Sequence, residues 1–220
     1  MLEAKKSLYK DYLQTPVILI GAGGIISNVL AMFAKLSPLK LTIWDDDTVA
    51  PVNLVMQQFH AKDIDEYKVE ALKREATRIN PKLSVKTYRR RFRAKDSLDG
   101  LVVSGVDCME SRQLIFDAVL RQKSQVKLYL DGRLSRTHHE YFDLFAIDPN
   151  DEWEVEAYRG WLDKGSLTQE PRSERMAVQT PMMLAGTMGA VLARWIEGRS
   201  RPWRVSFFGD VPHLEYFFHQ

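Results

Sequence analysis

A chain of 220 residues with 45% hydrophobic side chains and a formal net charge of +2 is long enough to bury its own core, which excludes the disordered, collagen-like and strongly basic classes. Its one cysteine, Cys108, excludes an intrachain disulfide and a structural zinc site built on paired cysteines; it suits a reducing compartment, so a cytoplasmic location is expected. No stretch approaches the roughly 20 apolar residues that cross a bilayer, and MLEAKKSLYKDYL lacks an apolar run of leader length, so a soluble protein without membrane contact is expected.

VILI at 17–20 reads as a buried strand, and Ile25, Val29, Met32 and Phe33 then recur at helical spacing, which puts the intervening glycines on a strand-to-helix turn. LTIW forms a second strand ending at Asp45. Asp63 and Asp65 supply acidic residues for a helix start, and Val69, Leu72, Ala76 and Ile79 make one helical face that stops at Asn80-Pro81. The strand LSVKTY follows, then LVVSGV (101–106), a helix carrying Leu114, Ile115, Ala118 and Val119, and the strands VKLYLDG (126–132) and YFDLFAI (141–147). Residues 148–180 are polar and lack periodicity, which predicts a long crossover loop. Pro181 opens a helix to Gly198 with small residues Ala185, Gly186, Gly189, Ala190 and Ala193, and 199–220 ends the chain in a β-hairpin. The alternation predicts one α/β domain over 1–220: a Rossmann-like, doubly wound, mainly parallel sheet with helices on both faces and a C-terminal β extension.

Glycines at the carboxyl end of a strand let backbone amides approach a phosphate, and the helix that follows adds a favourable partial charge. Gly21, Gly23 and Gly24 meet that need, and Asp45, at the end of the next strand, is placed to accept hydrogen bonds from ribose hydroxyls. The third glycine of the dinucleotide fingerprint is missing, because residue 26 is isoleucine. The segment DDDTVAPVNLVMQQFHAKDIDEYK then supplies Asp45, Asp47, Asn53, Gln57 and Lys68, and VSGVD ends a later parallel strand at Asp107. In a doubly wound sheet these strand ends share one edge, so acceptors for ribose, amides and a lysine for phosphate, and a carboxylate for Mg²⁺ converge on one crevice.

The ordered pattern GAGG…DDD-x-V…NL-x-x-Q…K…N-P…VD, over roughly 15–198, resembles the ubiquitin-activating-enzyme-like superfamily, with bacterial members ThiF, MoeB and HesA. The resemblance implies an enzyme that binds MgATP and adenylates a C-terminal carboxylate of a small ubiquitin-like protein or peptide, releasing pyrophosphate. By position it implies that Gly21, Ala22, Gly23 and Gly24 line the phosphate loop, that Asp45 binds ribose, that Asp47, Asn53, Gln57 and Lys68 surround the phosphates, and that Asp107 holds Mg²⁺. A homodimer is implied as well. Such chemistry needs charge neutralisation and in-line positioning and no acid–base residue, so His60, His138, His139, His213 and His219 are read as structural or solvated.

Departures from the family pattern shape the expectation. Met56 stands where arginine usually contacts phosphate, with Arg112 and Arg133 as possible substitutes; the paired CxxC motifs of zinc-bearing relatives are missing, so no structural zinc is expected. Ser173 occupies the neighbourhood of the cysteine of thioester-forming relatives, and Cys108 is read as a buried small residue. Either the protein adenylates without forming a thioester on its own chain, which is the expectation, or Ser173 replaces an original cysteine. Other readings are a catalytically weakened binding module marked by Ile26 and Met56, a nicotinamide-dependent oxidoreductase, and an enzyme acting on a carboxylate of a tRNA base. The last draws on YRRRFR (88–93), whose arginines and aromatics can grip an RNA backbone or instead form a solvated strand end.

Overall fold

The computed structural model describes residues 10–36, 40–134, 141–164, 178–208 and 212–219. Its central strand is β1 (Val17–Ile20), buried at all four residues because it pairs in parallel on both sides, with β2 (Lys40–Trp44) and β4 (Gly100–Ser104). A strand covered on both faces has no solvent side, which is why VILI is an unbroken apolar run. β3 (Ser84–Tyr88) adds in parallel outside β2, and β5 (Val126–Leu134) in parallel outside β4. β6 (Tyr141–Ile147), β7 (Arg204–Phe208) and β8 (His213–Phe217) then follow antiparallel, closing an eight-stranded sheet of order β3-β2-β1-β4-β5-β6-β7-β8. The Rossmann-like, mainly parallel sheet with a C-terminal β extension is thus observed.

The helices are α1 (Gly24–Leu36), α2 (Lys68–Ile79), α3 (Met109–Arg121), α4 (Glu152–Lys164) and α5 (Gln179–Ile196). The pleat of β1 divides its side chains between two cores. Val17 and Leu19 pack with Ile26, Val29 and Phe33 of α1, with Val69 and Leu72 of α2 and with Leu184 and Met188 of α5. Ile18 and Ile20 face the other way, with Ile115, Phe116 and Val119 of α3 and with Val155, Tyr158 and Leu162 of α4. Tyr158 meets Phe116 edge-on at 4.6 Å and Phe145 at 5.1 Å between ring centroids, geometry that favours aromatic pairs beyond their buried area.

Two expectations are corrected. Residues 148–180 were expected as a crossover loop, yet the first part is α4, held by the buried stripe Val155, Tyr158 and Leu162. A stripe of three, interrupted by the charged residues between and flanked by Trp153 and Trp161, is too sparse to register as a period in the sequence. Asp63 does not start a helix: its Oδ2 accepts the amide of His60 at 2.8 Å, and Arg74 reaches its Oδ1 at 2.7 Å, while α2 begins at Lys68.

Ile26 acquires a reason in this packing. It is fully buried, and a Cβ placed on Gly105, just beyond β4, would stand 2.8 Å from Ile26 Cγ1 and 3.2 Å from Ile25 Cβ. The close helix–strand approach that a third glycine would permit from the helix side is here permitted from the strand side. Gly105→Ala is therefore expected to destabilise the fold by about 1–3 kcal/mol through overpacking. With Ile26→Ala, which vacates the same space, the pair should lose less than the sum of the single losses in urea unfolding; strict additivity would remove this account of Ile26.

Candidate nucleotide-binding active site

The crevice is built on two turns at the carboxyl edge of the sheet. Gly21 leaves β1 with φ +88°, a conformation that costs side-chain-bearing residues roughly 1–2 kcal/mol. Its amide donates to Trp44 O at 2.9 Å, and the amide of Gly105 donates to Ile20 O at 2.9 Å, so the turns after β1, β2 and β4 are laced together. Asp45 completes the lacing: Oδ2 accepts the amide of Ala22 at 2.6 Å and Oδ1 that of Asp47 at 2.8 Å. Burial pushes the Asp45 carboxyl above the usual aspartate range, with the two amides and Lys68 acting against that rise. Each oxygen keeps a second lone pair, the acceptor that a ribose hydroxyl requires. Gly23 and Gly24 open α1, whose first-turn amides have no carbonyl of their own helix to meet.

Across β1 from β4, Asp47 and Lys68 form the second wall. Lys68 is buried, its side chain only 7% exposed, and Nζ donates to Asp47 Oδ2 at 2.7 Å while Asp47 remains 62% exposed. It is thus no solvated helix-start lysine. Asn53 Oδ1 accepts the amide of Ala50 at 2.9 Å, capping the short turn Pro51–Val55. Gln57 follows with its amide on Asn53 O at 2.9 Å, and its buried side-chain Oε1 meets no protein partner. Rotation about the last torsion exchanges the oxygen and the NH₂ of such an amide, so this position can present a donor to an anion.

Asp107 is exposed just after β4 and before α3, close to the glycine turn: Val106 Cγ1 lies 3.2 Å from where a Cβ of Gly21 would be. An exposed carboxylate at this edge suits Mg²⁺, which keeps several waters and takes one or two protein oxygens. The carboxylates of Asp45, Asp46 and Asp47 gather on the β2 side, within 4.8 Å of one another. The structure thus brings Gly21, Ala22, Gly23, Gly24, Asp45, Asp47, Lys68 and Asp107 to one edge, with Asn53 and Gln57 on the loop that follows Asp47.

Arg112 is not the substitute for the arginine missing at Met56. It is buried, with Nη1 on Asp131 Oδ1 and on Gly132 O (3.0 Å) and Nη2 on Val106 O, so both terminal nitrogens are engaged inside the protein. Asp131, fully buried, also accepts Arg133 Nε at 2.8 Å and the hydroxyl of Tyr158 at 2.8 Å. The sequence reading passed over this centre. Its signal is present in VKLYLDGRL, where Asp131 and Arg133 directly follow the apolar run LYL and join Lys127 as charges within one strand.

The remaining readings also find their places. Arg89, Arg90 and Arg91 of YRRRFR pair with Glu70 (3.1 Å), Asp96 (2.7 Å) and Asp46 (3.1 Å), which favours a charge-balanced strand end over an RNA grip. Cys108 is half-buried at the N-cap of α3, with Sγ 3.0 Å from Ser111 Oγ, rather than a buried packing residue. Ser173, His138 and His139 lie outside the described residues.

A model of the ThiF family matches residues 2–207. The adenylyltransferase and sulfurtransferase UBA4 of Scheffersomyces stipitis is 33% identical over 129 residues, 54% of this chain and 29% of that protein; UBA4 of Debaryomyces hansenii is 31% identical over 132 residues, 56% and 30%. The chain spans under a third of the length of these curated relatives. Among solved structures, E. coli MccB with ATP superposes with a TM-score of 0.74 at 18% identity over 96% of this chain and 66% of that one, and PaaA with 0.73 at 12% over 97% and 75%. At such identities the likeness is one of fold.

The two charge centres predict losses of different size. Asp131→Asn leaves Arg112 and Arg133 without a buried counter-charge and is expected to cost about 3–5 kcal/mol in urea unfolding. Lys68→Met leaves the exposed carboxylate of Asp47 and that of Asp45, which keeps its two backbone amides, so the loss should stay within about 1 kcal/mol. A larger loss for Lys68→Met than for Asp131→Asn would reverse the assignment of which centre holds the fold.

Proposed function

The chain belongs to the ThiF family, and from that membership we propose that it is an ATP-dependent adenylyltransferase activating the C-terminal carboxylate of a small ubiquitin-like protein or peptide. The observation that carries the reading is the convergence of the glycine turn, Asp45, the buried Lys68 and Asp107 on one sheet edge. A polypeptide acceptor is further supported by MccB, which has been solved in complex with N-formylated MccA.

The chemistry follows from that edge. A carboxylate oxygen attacks the α-phosphorus, the bond from that phosphorus to the bridging oxygen of the β-phosphate breaks, and pyrophosphate leaves with the electron pair; no proton needs to move. Asp45 orients the ribose, the amides of 21–24 and the start of α1 hold phosphate oxygens, and Lys68, with Asn53 and Gln57, attracts the departing pyrophosphate. Mg²⁺, held by Asp107, would neutralise phosphate charge. Since nucleophile and ATP carry the same sign, positioning and charge neutralisation supply the rate enhancement. The adenylate passes to an outside nucleophile without a thioester on the chain itself. Cys108 sits beside Asp107 at the head of α3, where the adenylate forms, and its Sγ is engaged with Ser111.

We place the protein in the cytoplasm as a homodimer. The outward side of α5 bears exposed Met182, Met183, Gly186, Ala190 and Ala193, while Ala185 and Gly189 turn inward, Gly189 against Met32 of α1. Beside it runs a groove of about 570 Å³ in which Leu54, Val55, Phe59, Val178 and Met182 alternate with polar side chains such as Asn28, Gln58 and Glu75. A second copy would cover the exposed methionines and small residues of this surface. Light scattering at tens of micromolar should give twice the chain mass, and Gly186→Glu should give the single mass; a monomeric parent would remove the dimer from the proposal.

The reaction is tested by ATP–pyrophosphate exchange with Mg²⁺, supplying candidate ubiquitin-like proteins and peptides with free carboxyl termini. Exchange is expected for the parent and a loss of at least about a hundredfold for Asp107→Ala at unchanged melting temperature. A parent that binds MgATP but exchanges with no carboxylate would mark a binding module. A partner adduct on Cys108 that survives denaturation and yields to thiol reductant would overturn the absence of a thioester.

A further inference from the structure

β5 runs three residues past the point where β4 ends, since Asp131 pairs with Ser104, the last residue of β4. Those residues wall the crevice on the side away from β2. Leu134 Cδ1 lies 3.8 Å from where a Cβ of Gly24 would be, and a Cβ on Gly132 would meet Ile25 at 3.1 Å, so both face α1. Arg133, between them, faces the opposite side, as alternation along a strand requires. Its guanidinium lies over the rings of Phe145, at 4.5 Å, and Tyr158, at 5.3 Å, with Nε on Asp131.

One donor of that guanidinium is left over. Arg133 Nη2 is buried and meets no acceptor in hydrogen-bond geometry, the neighbouring Tyr158 hydroxyl being turned to donate to Asp131, although the side chain as a whole is 15% exposed. Buried donors in proteins are almost always satisfied, so an orphan beside a crevice calls for an acceptor from outside the chain. The charges around it agree. Arg112, Arg133 and Arg204 are held against Asp131 and Asp143, and Asp143 is itself taken up by Arg204, Ser206 and Tyr141. The next side chain along that row, Glu215, is 49% exposed and faces His213. The buried set therefore carries one positive charge in excess, on the residue with the unused donor.

Sheet order decides which anion fits. Lys68 and Asp47 lie beyond β2, on one side of the β1 glycine turn, and Arg133 lies beyond β5, two strands away on the other side. With strands about 4.8 Å apart, β2 and β5 are separated by roughly 14 Å, with the α-phosphate position between them. In an in-line displacement the nucleophile enters opposite the leaving group. If pyrophosphate departs toward Lys68, the carboxylate must arrive from the side of Arg133.

We propose that Arg133 binds an oxygen of the acyl substrate's terminal carboxylate through Nη2 and keeps that oxygen, as the acyl carbonyl, once the adenylate has formed. The assignment rests on the adenylyltransferase reading above. A guanidinium that is stacked on two rings and anchored by Asp131 is held in place before substrate arrives, which makes it a specificity-determining contact for a carboxylate over a neutral chain end.

The test uses the full chain, calorimetric titration, and three probes: MgATP, adenosine sulfamate, and its N-glycyl derivative, a stable mimic of an acyl-adenylate. The parent should bind the glycyl form more tightly than the unacylated sulfamate. Arg133→Met, which keeps bulk against Phe145 and Tyr158, should lose at least about tenfold for the glycyl form while MgATP and the unacylated sulfamate change by less than about twofold. Arg133→Lys, which retains the charge that balances Asp131, should fall between and carries the test if Arg133→Met melts below the working temperature. Equal losses for all three probes would give Arg133 to phosphate or to the fold, and an unchanged preference for the glycyl form in both variants would remove it from the site; either overturns the proposal. A parent that binds the nucleotide probes while the variants show no selective loss sinks this proposal alone. A parent that binds none of them sinks the adenylyltransferase reading and this proposal together.

Discussion

The carboxylate of Asp45 is the joint on which the crevice hangs. One oxygen holds the amide of Ala22, in the turn after β1, and the other holds the amide of Asp47, in the turn after β2. Beyond the backbone bond from Gly21 to Trp44, these are the contacts that tie the two turns to each other where the parallel ladder ends. The glycine turn, the aspartate run and, through Asp47, the Nζ of Lys68 are all placed by that bidentate grip. Burial makes ionisation of Asp45 costly, yet the same burial strengthens every hydrogen bond it accepts.

A second carboxylate performs the corresponding task on the far side. Asp131 binds Arg112, Arg133 and Tyr158, and these come from α3, from the overhang of β5 and from α4. Arg112 also holds Val106 O, one residue before Asp107. The position of Asp107 is therefore set from within the core, by a network that links the end of β4 to the end of β5 and to α4. Removing one member leaves buried charge behind, which is why such a centre constrains geometry more than it adds stability.

Between the two carboxylates the packing admits little slack. Ile26 fills the space that Gly105 leaves open, and Gly132 does the same for Ile25. α1 is thereby pressed against the sheet edge with its first turn at the crevice, so that van der Waals contact, together with the grip of Asp45 on Ala22, positions the amides of the glycine turn. A change of one methyl group at this seam is felt at the site.

Much was legible in the sequence because it depended on short-range pattern. The unbroken VILI, the glycines after it, Asp45 at the end of LTIW and the alternation of strand and helix are consequences of burial on both sheet faces and of backbone reach, and they specify a Rossmann-like sheet with its crevice edge. The roles of Arg112 and Arg133 were not legible, since both follow strand ends and look alike in sequence; only the pairing of Ser104 with Asp131 decides that Arg112 is spent in the core and that Arg133 keeps a donor over. α4 escaped notice because three buried positions among charges form too weak a period, and its burial comes from Phe116 and Phe145, far away in the chain. Lys68 and the arginines of 89–91 likewise gained their partners only from folding. Local sequence determined which elements form and that the glycine turn and Asp45 share one sheet edge; long-range pairing decided which charges are used up inside the protein and which keep an unused donor, because a charge's availability depends on its neighbours in space.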